Sequence, residues 1–525
     1  MDEGTASGPE SDSLRAAVAS RMSELPGSGR DRDGDESASD ESDVAHVVTA
    51  FLRNRGDVLL LRRSDAVGTY RGQWGGVSGF AEGQPDEQVL IEIREETGLE
   101  AADVSLVRSG RPVEFEDADL GREWVVHPYL FDCETREIEL SEEHDAVEWV
   151  APTAMLDLES GLDAENAHET AAGDEIDVTV PELWTAYERV APTVRSIAAD
   201  DEHGAASLSI RALEVLRDRA GLLVAERGEA TSSPRDDERG TRESDADPEG
   251  EWDELAELAG RLLEARPSMA VLRNRINRVM AEATDGAEGD DAAAGAPRVL
   301  ESALSNVDRA LAADEDAAAN AGERIDGSVM TLSRSGTVFE ALRDGDPSRV
   351  FVAESRPARE GLDVAEALAA SDDVDCPVAV HTDAAAAHVL SSEGVDRVVV
   401  GADTVLPDGA VVNKTGTRGL AIAAAREDVP VSVVAATDKV STREGVNLES
   451  GDRSAVYDGE AAVDVLNPTF DVTPADCVDE IVTERGALEA ADVGDVVEEL
   501  RGLETWRTDS ELTGRETTDR NLSRE

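Results

Sequence analysis

The sequence predicts an α/β protein in three successive parts: a compact α+β unit, a helical subdomain, and a parallel sheet flanked by helices. Three observations carry this. Near the N-terminus two apolar runs, HVVTAFL and DVLLLRR, are joined by the turn-forming Asn54-Arg55-Gly56. From residue 205 to 321 apolar side chains recur at helical spacing, broken only by acidic stretches. Beyond them short apolar runs alternate with alanine-rich helical stretches, as in a sheet of parallel strands covered by helices.

In chain order, residues 1–42 are rich in Ser, Gly, Asp and Glu and hold too few large apolar groups to offset the entropy of ordering, so they read as an acidic tail. Residues 44–62 read as a strand pair, 87–97 as a helix stopped by Gly98, 123–132 and 146–150 as further strands, and 181–197 as a helix. These make an α+β domain over 43–195. The helical subdomain covers 196–325, with solvated acidic loops at 229–251 and 285–297. The runs VFVA, VAV, RVVVGA and VSVVAA place strands in a parallel-sheet domain over 326–503, and 504–525 is a polar tail.

Of 525 residues, 116 are acidic and 49 basic, a net charge of -67 that would repel itself strongly in dilute buffer and is screened in molar salt. Nucleic acid is excluded as a natural partner. Only two of the basic residues are lysine, Lys414 and Lys439. Acid-rich, lysine-poor composition suits a halophile's cytosol, and a chain that discards ammonium groups elsewhere keeps these two for point charges in a site. Cys133, Cys376 and Cys477 lie far apart without a CxxC pair, which speaks against a zinc or disulfide framework. The N-terminus has no basic and apolar leader, and no run of 18 apolar residues occurs, so a cytoplasmic protein without membrane contact is expected.

Ligands of an open parallel sheet gather beyond the carboxyl ends of its strands. Glu354-Ser355-Arg356, Asp403 and Asp438-Lys439 fall at such ends. Between them Gly416 permits close backbone approach, Thr417 opens a helix, and Lys414 places a cation beside that nest, an arrangement suited to phosphate.

Four segments, RPSMAVLRNRINRV (266–279), GADTVLPDGAVVNKTGT (401–417), NPTFDVTP (467–474) and IVTERG (481–486), occur in this order. Together they resemble the initiation factor 2B α/β/δ subunit family, which includes ribose-1,5-bisphosphate isomerase and is similar to methylthioribose-1-phosphate isomerase. The resemblance covers about residues 200–500. It implies a helical part, a Rossmann-like part and a homo-oligomer formed through the C-terminal half. In the family's isomerases a cysteine and an aspartate shuttle protons as a sugar 1-phosphate opens and its carbonyl moves from C1 to C2. Asp403 matches the aspartate. Ser333, in MTLSRSG, stands where the cysteine is expected, and a hydroxyl is a far weaker acid than a thiol. Arg334, Ser335 and Gly336 sit where the family meets phosphate, and Asn413 with Lys414 matches its Asn-Lys pair. Arg356, Gly416 and Lys439 complete the expected phosphate-binding set, and no cofactor is expected here.

In the first domain Glu92, Glu95 and Glu96 stand at i, i+3 and i+4, so a helix presents three carboxylates on one face. In so acidic a chain a solvated surface is the default. The context, LLLRR, then Trp74-Gly75-Gly76, REETGL and EEHDAVEWV (142–150), resembles the Nudix hydrolase family over about 44–155. There, glutamates hold magnesium or manganese while water attacks a nucleoside diphosphate derivative. The resemblance implies Glu92, Glu95 and Glu96 as ligands, Glu95 also as a catalytic carboxylate, and Glu82 as a substitute ligand. At the front of the box the expected glycine, glutamate and arginine are replaced by Val77, Gly83 and Ile91.

Two readings follow. In one, a Nudix hydrolase is fused to a sugar-phosphate isomerase-like domain in nucleotide or pentose-phosphate metabolism. In the other, both domains only bind a nucleotide or sugar phosphate and report its level.

Overall fold

The computed structural model describes residues 44–81, 83–156, 178–232, 248–285, 295–489 and 492–507. The expected tail at 1–42, Glu82, and most of the two acidic loops and of the polar C-terminal end lie outside these residues. Residue contacts divide the chain into two compact units, Met1–Pro192 with Gly221–Ser244, and Thr193–Ala220 with Asp245–Glu525.

The first unit is built on an 8-stranded mixed sheet. Strand β1 (Val44–Asn54) turns into β2 (Asp57–Arg63) through Arg55 and Gly56, both at positive φ, the turn whose twist matches a two-residue hairpin. Then come β3 (Trp74–Gly75), β4 (Val77–Phe80), helix α1 (Pro85–Thr97), β5 (Val104–Ser109), β6 (Val113–Asp117), β7 (Arg122–Cys133) and β8 (His144–Val150). β1 is central, antiparallel to β2 and β4 and parallel to β7. Alternation decides the two faces. Val48, Ala50 and Leu52 pack under Val89, Leu90 and Ile93 of α1, while Phe51 faces Leu183 and Tyr187 on the other side. Gly98, at φ 74, closes α1 by donating its N–H to the Arg94 carbonyl.

The single helix expected over 181–197 is instead two, α2 (Leu183–Glu188) and α3 (Val194–Ala199). Pro192 has no N–H to continue the first, and Thr193 starts the second through a reciprocal capping box with Ser196.

Helix α4 (Ala205–Ser232), of which the part up to Ala220 belongs to the second unit, and α5 (Pro248–Ala265), α6 (Ala270–Thr284) and α7 (Ala296–Gly322) precede the second unit's sheet. The sheet contains β9 (Asp326–Leu332), β10 (Asp346–Ala353), β11 (Val378–His381), β12 (Arg397–Gly401), β15 (Val431–Val434), β17 (Glu480–Thr483) and β18 (Gly486–Leu488). A small second sheet joins β13 (Thr404–Val405), β14 (Val411–Lys414) and β16 (Phe470–Thr473). Helices α8 (Gly336–Asp344), α9 (Glu360–Ala370), α10 (Ala386–Ser392), α11 (Thr417–Arg426) and α12 (Val493–Gly502) accompany the strands.

The 7-stranded order is β11-β10-β9-β12-β15-β17-β18, parallel except for β17 with β18. Successive residues of β12 serve opposite cores: Val398 and Val400 join Leu420, Ala424 and Val497, whereas Val399 joins Ala317, Leu342 and Leu368. Helices therefore cover both faces. The chain runs outward from β9 to β11, then returns to lay β12 beside β9. The order reverses there, and a crevice is expected beyond the carboxyl ends of those two strands. β9, DGSVMTL, is a central strand that the sequence reading did not name.

Candidate functional site

The switch point brings together residues from distant parts of the sequence. β9 ends at Leu332 and is followed by Ser333; β12 ends at Gly401 and is followed two residues later by Asp403. Ser333 and Ser355, at the ends of adjacent strands, both hold left-handed backbone, φ 64 and 61. Such conformations cost an L-residue roughly 1–2 kcal/mol, so the surroundings must impose them. They are imposed by hydrogen bonds: the Ser333 N–H donates to Ser355 Oγ at 2.7 Å, and the Ser355 and Arg356 N–H groups donate to the two Asp383 oxygens at 2.8 and 2.7 Å.

The Ser333 hydroxyl donates to Glu360 Oε2 at 3.0 Å, and Lys414 Nζ donates to Glu360 Oε1 at 3.0 Å. Glu360 opens α9. A Cβ on the following Gly361 would run into the Ala353 carbonyl, so glycine lets this helix start close against the end of β10. The lysine expected to face phosphate is thus ion-paired, to a carboxylate the sequence reading did not single out.

Asp403 donates its N–H to the Val412 carbonyl at 3.0 Å, and among the described residues its carboxylate accepts no hydrogen bond. Burial pushes this carboxyl above its ordinary range, and Lys439 and Lys414 pull it back only in part. Lys439 is itself buried, 7 % exposed, on the turn after β15. That turn is gripped from below by α6. Asn274 Nδ2 donates to the Asp438 and Val440 carbonyls at 2.8 and 2.7 Å. Arg278 and Arg275 reach the Asp438 carboxylate at 2.8 and 3.3 Å. Burial alone would raise the Asp438 carboxyl; the two guanidiniums reverse this and hold it low. The segment RPSMAVLRNRINRV is therefore the buried support of the turn that presents Lys439, with Arg275 also bonded to Ser209 Oγ, the Ala310 carbonyl and Asp314.

Other expected contacts are otherwise engaged. Gly416, at φ 117, does open α11, but its N–H and that of Arg418 donate to the Asp471 carboxylate at 2.8 and 3.1 Å. The nest read as a phosphate cradle holds an internal anion from NPTFDVTP, because free helix N–H groups attract any carboxylate within reach. Asn413, buried, donates to Thr417 Oγ1 at 3.0 Å and so braces the same turn. Ser335 caps α8 by accepting the Val338 N–H, and Gly336 begins that helix. Arg334 is exposed and donates to the Glu202 carbonyl at 3.0 Å. The Arg356 side chain is also exposed, 3.5 Å from Glu354.

In the first unit the three glutamates of α1 part company. Glu96 is 3 % exposed and accepts the Ser78 N–H at 3.1 Å; Glu92 lies against Gly79 and accepts from Gln88 Nε2 at 2.6 Å; Glu95 is exposed. Glu92 and Glu96, one turn apart, both reach β4, at Gly79 and Ser78. Burial, and then the charge of Glu92, raises the Glu96 carboxyl well above its ordinary value, against the pull of the Ser78 N–H. His144, 6 % exposed, stands 3.9 Å from Glu96 and is pushed down to about 4 by burial and by Arg63. Arg63, whose charge acts on both Glu96 and His144, completes this group.

Magnesium or manganese would relieve two crowded carboxylates. However, Glu95 is exposed, Glu82 is outside the described residues, and no group of three His, Cys, Asp or Glu side chains able to hold a metal occurs among the described residues. The expected three-ligand set is not assembled, so no chemical step is derived through a metal here.

The initiation factor 2 subunit family model matches residues 201–490. The chain belongs to this family. A NUDIX domain precedes the family region, matched over residues 44–171. The family region is similar to the ribose 1,5-bisphosphate isomerase of Haloferax volcanii, 32% identical over 335 residues that span 60% of this chain and 94% of that protein. It is also similar to the methylthioribose-1-phosphate isomerase of Pseudomonas aeruginosa, 36% identical over 170 residues, 30% of this chain and 46% of that protein. Among solved structures, translation initiation factor eIF-2B of Pyrococcus horikoshii OT3 covers 56% of this chain and 95% of its own, at 26% identity and a TM-score of 0.43. The matched range includes the switch point between β9 and β12 and the α6 segment that supports the turn after β15. No helix among the described residues is long and apolar enough to cross a membrane.

Proposed function

We propose that the second unit binds a ribose-type sugar 1-phosphate, opens its ring and leaves the carbonyl at C2, and that the NUDIX domain hydrolyses a nucleoside diphosphate derivative. One observation carries the first part: Asp403, half-buried at the topological switch point, has a carboxylate that accepts no hydrogen bond among the described residues and that feels the charges of both lysines of the chain. A carboxyl held above its ordinary range keeps a proton to give, and the two ammonium groups suit phosphate oxygens. Similarity to a ribose 1,5-bisphosphate isomerase over nearly all of that protein's length supports the substrate class. The assay is conversion of ribose 1,5-bisphosphate to the ketose in molar KCl, with Asp403→Asn as the inactive control. Equal turnover by wild type and Asp403→Asn refutes the reading. A homo-oligomer formed through the second unit is part of this proposal, and sedimentation in molar KCl tests it.

For the NUDIX domain a second reading is favoured by Val77, Gly83 and Ile91 at the front of the box: nucleotide binding without hydrolysis. A panel of nucleoside diphosphate derivatives, with and without magnesium, separates the two. Phosphate-bond cleavage supports hydrolysis, and a raised melting temperature without cleavage supports sensing.

A further inference from the structure

We propose that Glu360 is a catalytic proton-transfer residue of the second unit, doing the work that the absent thiol at position 333 would do. The inference rests on the isomerase reading above.

Its basis is the chain of contacts at the switch point. Ser333 Oγ donates to one oxygen of Glu360 at 3.0 Å, while Lys414 Nζ holds the other at 3.0 Å. A serine hydroxyl cannot exchange a proton with a carbon acid near neutral pH, but a carboxylate fixed beside it can. The hydroxyl is then an orienting donor. Position 333 has not lost its role so much as passed it one hydrogen bond outward. Glu360 is also placed by backbone: it opens α9, which Gly361 allows close against the end of β10. Asp403 is tied through its N–H to Val412 of β14, the strand that also carries Lys414, so the lysine that holds Glu360 links it to the Asp403 end of the switch point. An acid and a base able to reach one substrate are what ring opening with carbonyl transfer requires.

The step balances without an outside reagent. The Glu360 carboxylate takes the proton from C2 of the sugar 1-phosphate. The C2–H electron pair forms the C1–C2 double bond, and the bond from C1 to the ring oxygen breaks, its pair leaving on that oxygen, which takes a proton from the Asp403 carboxyl. The Asp403 carboxylate then removes the C2 hydroxyl proton. As the C2 carbonyl forms, the double-bond pair takes the proton back from Glu360 at C1. Both carboxyls end as they began, and the phosphate never leaves O1.

The experiment measures kcat and KM for ribose 1,5-bisphosphate in molar KCl with wild type, Glu360→Gln, Ser333→Cys and the double variant Glu360→Gln/Ser333→Cys. Glu360→Gln keeps the hydrogen-bonding shape and loses the base, so kcat should fall roughly 10²–10⁴-fold with KM within a few-fold. The double variant should recover much of that loss, since a thiol brings its own exchangeable proton; a purely structural role for Glu360 would not be rescued in this way. Wild-type turnover by Glu360→Gln overturns the proposal and leaves the isomerase reading standing. A double variant as slow as Glu360→Gln, while Ser333→Cys alone turns over, also overturns it. An inert wild type beside an active Ser333→Cys shows that Glu360 does not replace the thiol. If wild type and Ser333→Cys are both inert, the isomerase reading falls and the role of Glu360 falls with it.

Discussion

Two aspartates of the second unit, Asp438 buried and Asp403 half-buried, 35 residues apart in sequence, should respond oppositely to the same neutral substitution. Asp438 accepts from Arg278 at 2.8 Å and Arg275 at 3.3 Å, and the two arginine side chains are only 5% and 2% exposed. Asp438→Asn leaves both guanidiniums buried with less compensation, and breaking a buried pair costs about 3–5 kcal/mol. Arg275 keeps Asp314 at 3.0 Å, which places the loss near the lower end, about 3 kcal/mol. At ~2–4 °C per kcal/mol for a unit of this size or somewhat less for a larger one, the transition of the second unit should drop by about 6 °C. Asp403→Asn, by contrast, replaces a carboxyl whose charged form burial already disfavours and which accepts no hydrogen bond among the described residues, so its transition should stay put or rise. Linkage gives the pH signature. Asp438, held below 3.8 in the fold, contributes stability that is present above 3.8 and is lost as pH falls through its depressed value. Asp403, raised, binds a proton more tightly folded than unfolded, so its contribution is fully present below 3.8 and is lost as pH rises through the elevated value. Calorimetry and urea titration in molar KCl read both. Equal destabilisation by the two substitutions would refute this assignment of partners.

Lys439→Met removes an ammonium that has no ion pair among the described residues and whose charge acts on Asp403, and should weaken ribose 1,5-bisphosphate binding at least tenfold by calorimetric titration. Lys414→Met should weaken it less, because Lys414 already serves Glu360. Asp471→Ala frees the N–H groups of Gly416 and Arg418 and should lower stability by about 1–2 kcal/mol, as for loss of a helix cap, in denaturant titration. Glu96→Gln should leave the melting of the first unit unchanged or higher, since burial already favours the neutral form, while abolishing any magnesium-dependent hydrolysis; Glu95→Gln, on an exposed side chain, should affect hydrolysis less.

Much of the architecture was legible locally. The hairpin at Asn54-Arg55-Gly56, the α1 stop at Gly98 and the strands VFVA, RVVVGA and VSVVAA follow from turn chemistry and apolar period, which are properties of neighbouring residues. The break at Pro192 was legible too, in the missing N–H and the Thr193–Ser196 box, but the apolar period across it read as one helix. β9 escaped because DGSVMTL carries a glycine and two hydroxyl side chains, and it becomes a strand only through pairing with β10 and β12.

The candidate sites divide in the same way. Rarity marked Lys414 and Lys439, and position after an apolar run marked Asp403, all readable along the chain. What a carboxylate does depends on which charge lies across a gap spanned by other strands. Among 116 acidic residues nothing local distinguishes Glu360, bound to Ser333 and Lys414, from Asp471, bound to a helix start, or Asp438, clamped by two arginines. Sequence fixes where ionisable groups can stand, whereas their protonation and partners follow from distances of a few ångströms in a poorly screened interior, and only the folded arrangement sets those distances.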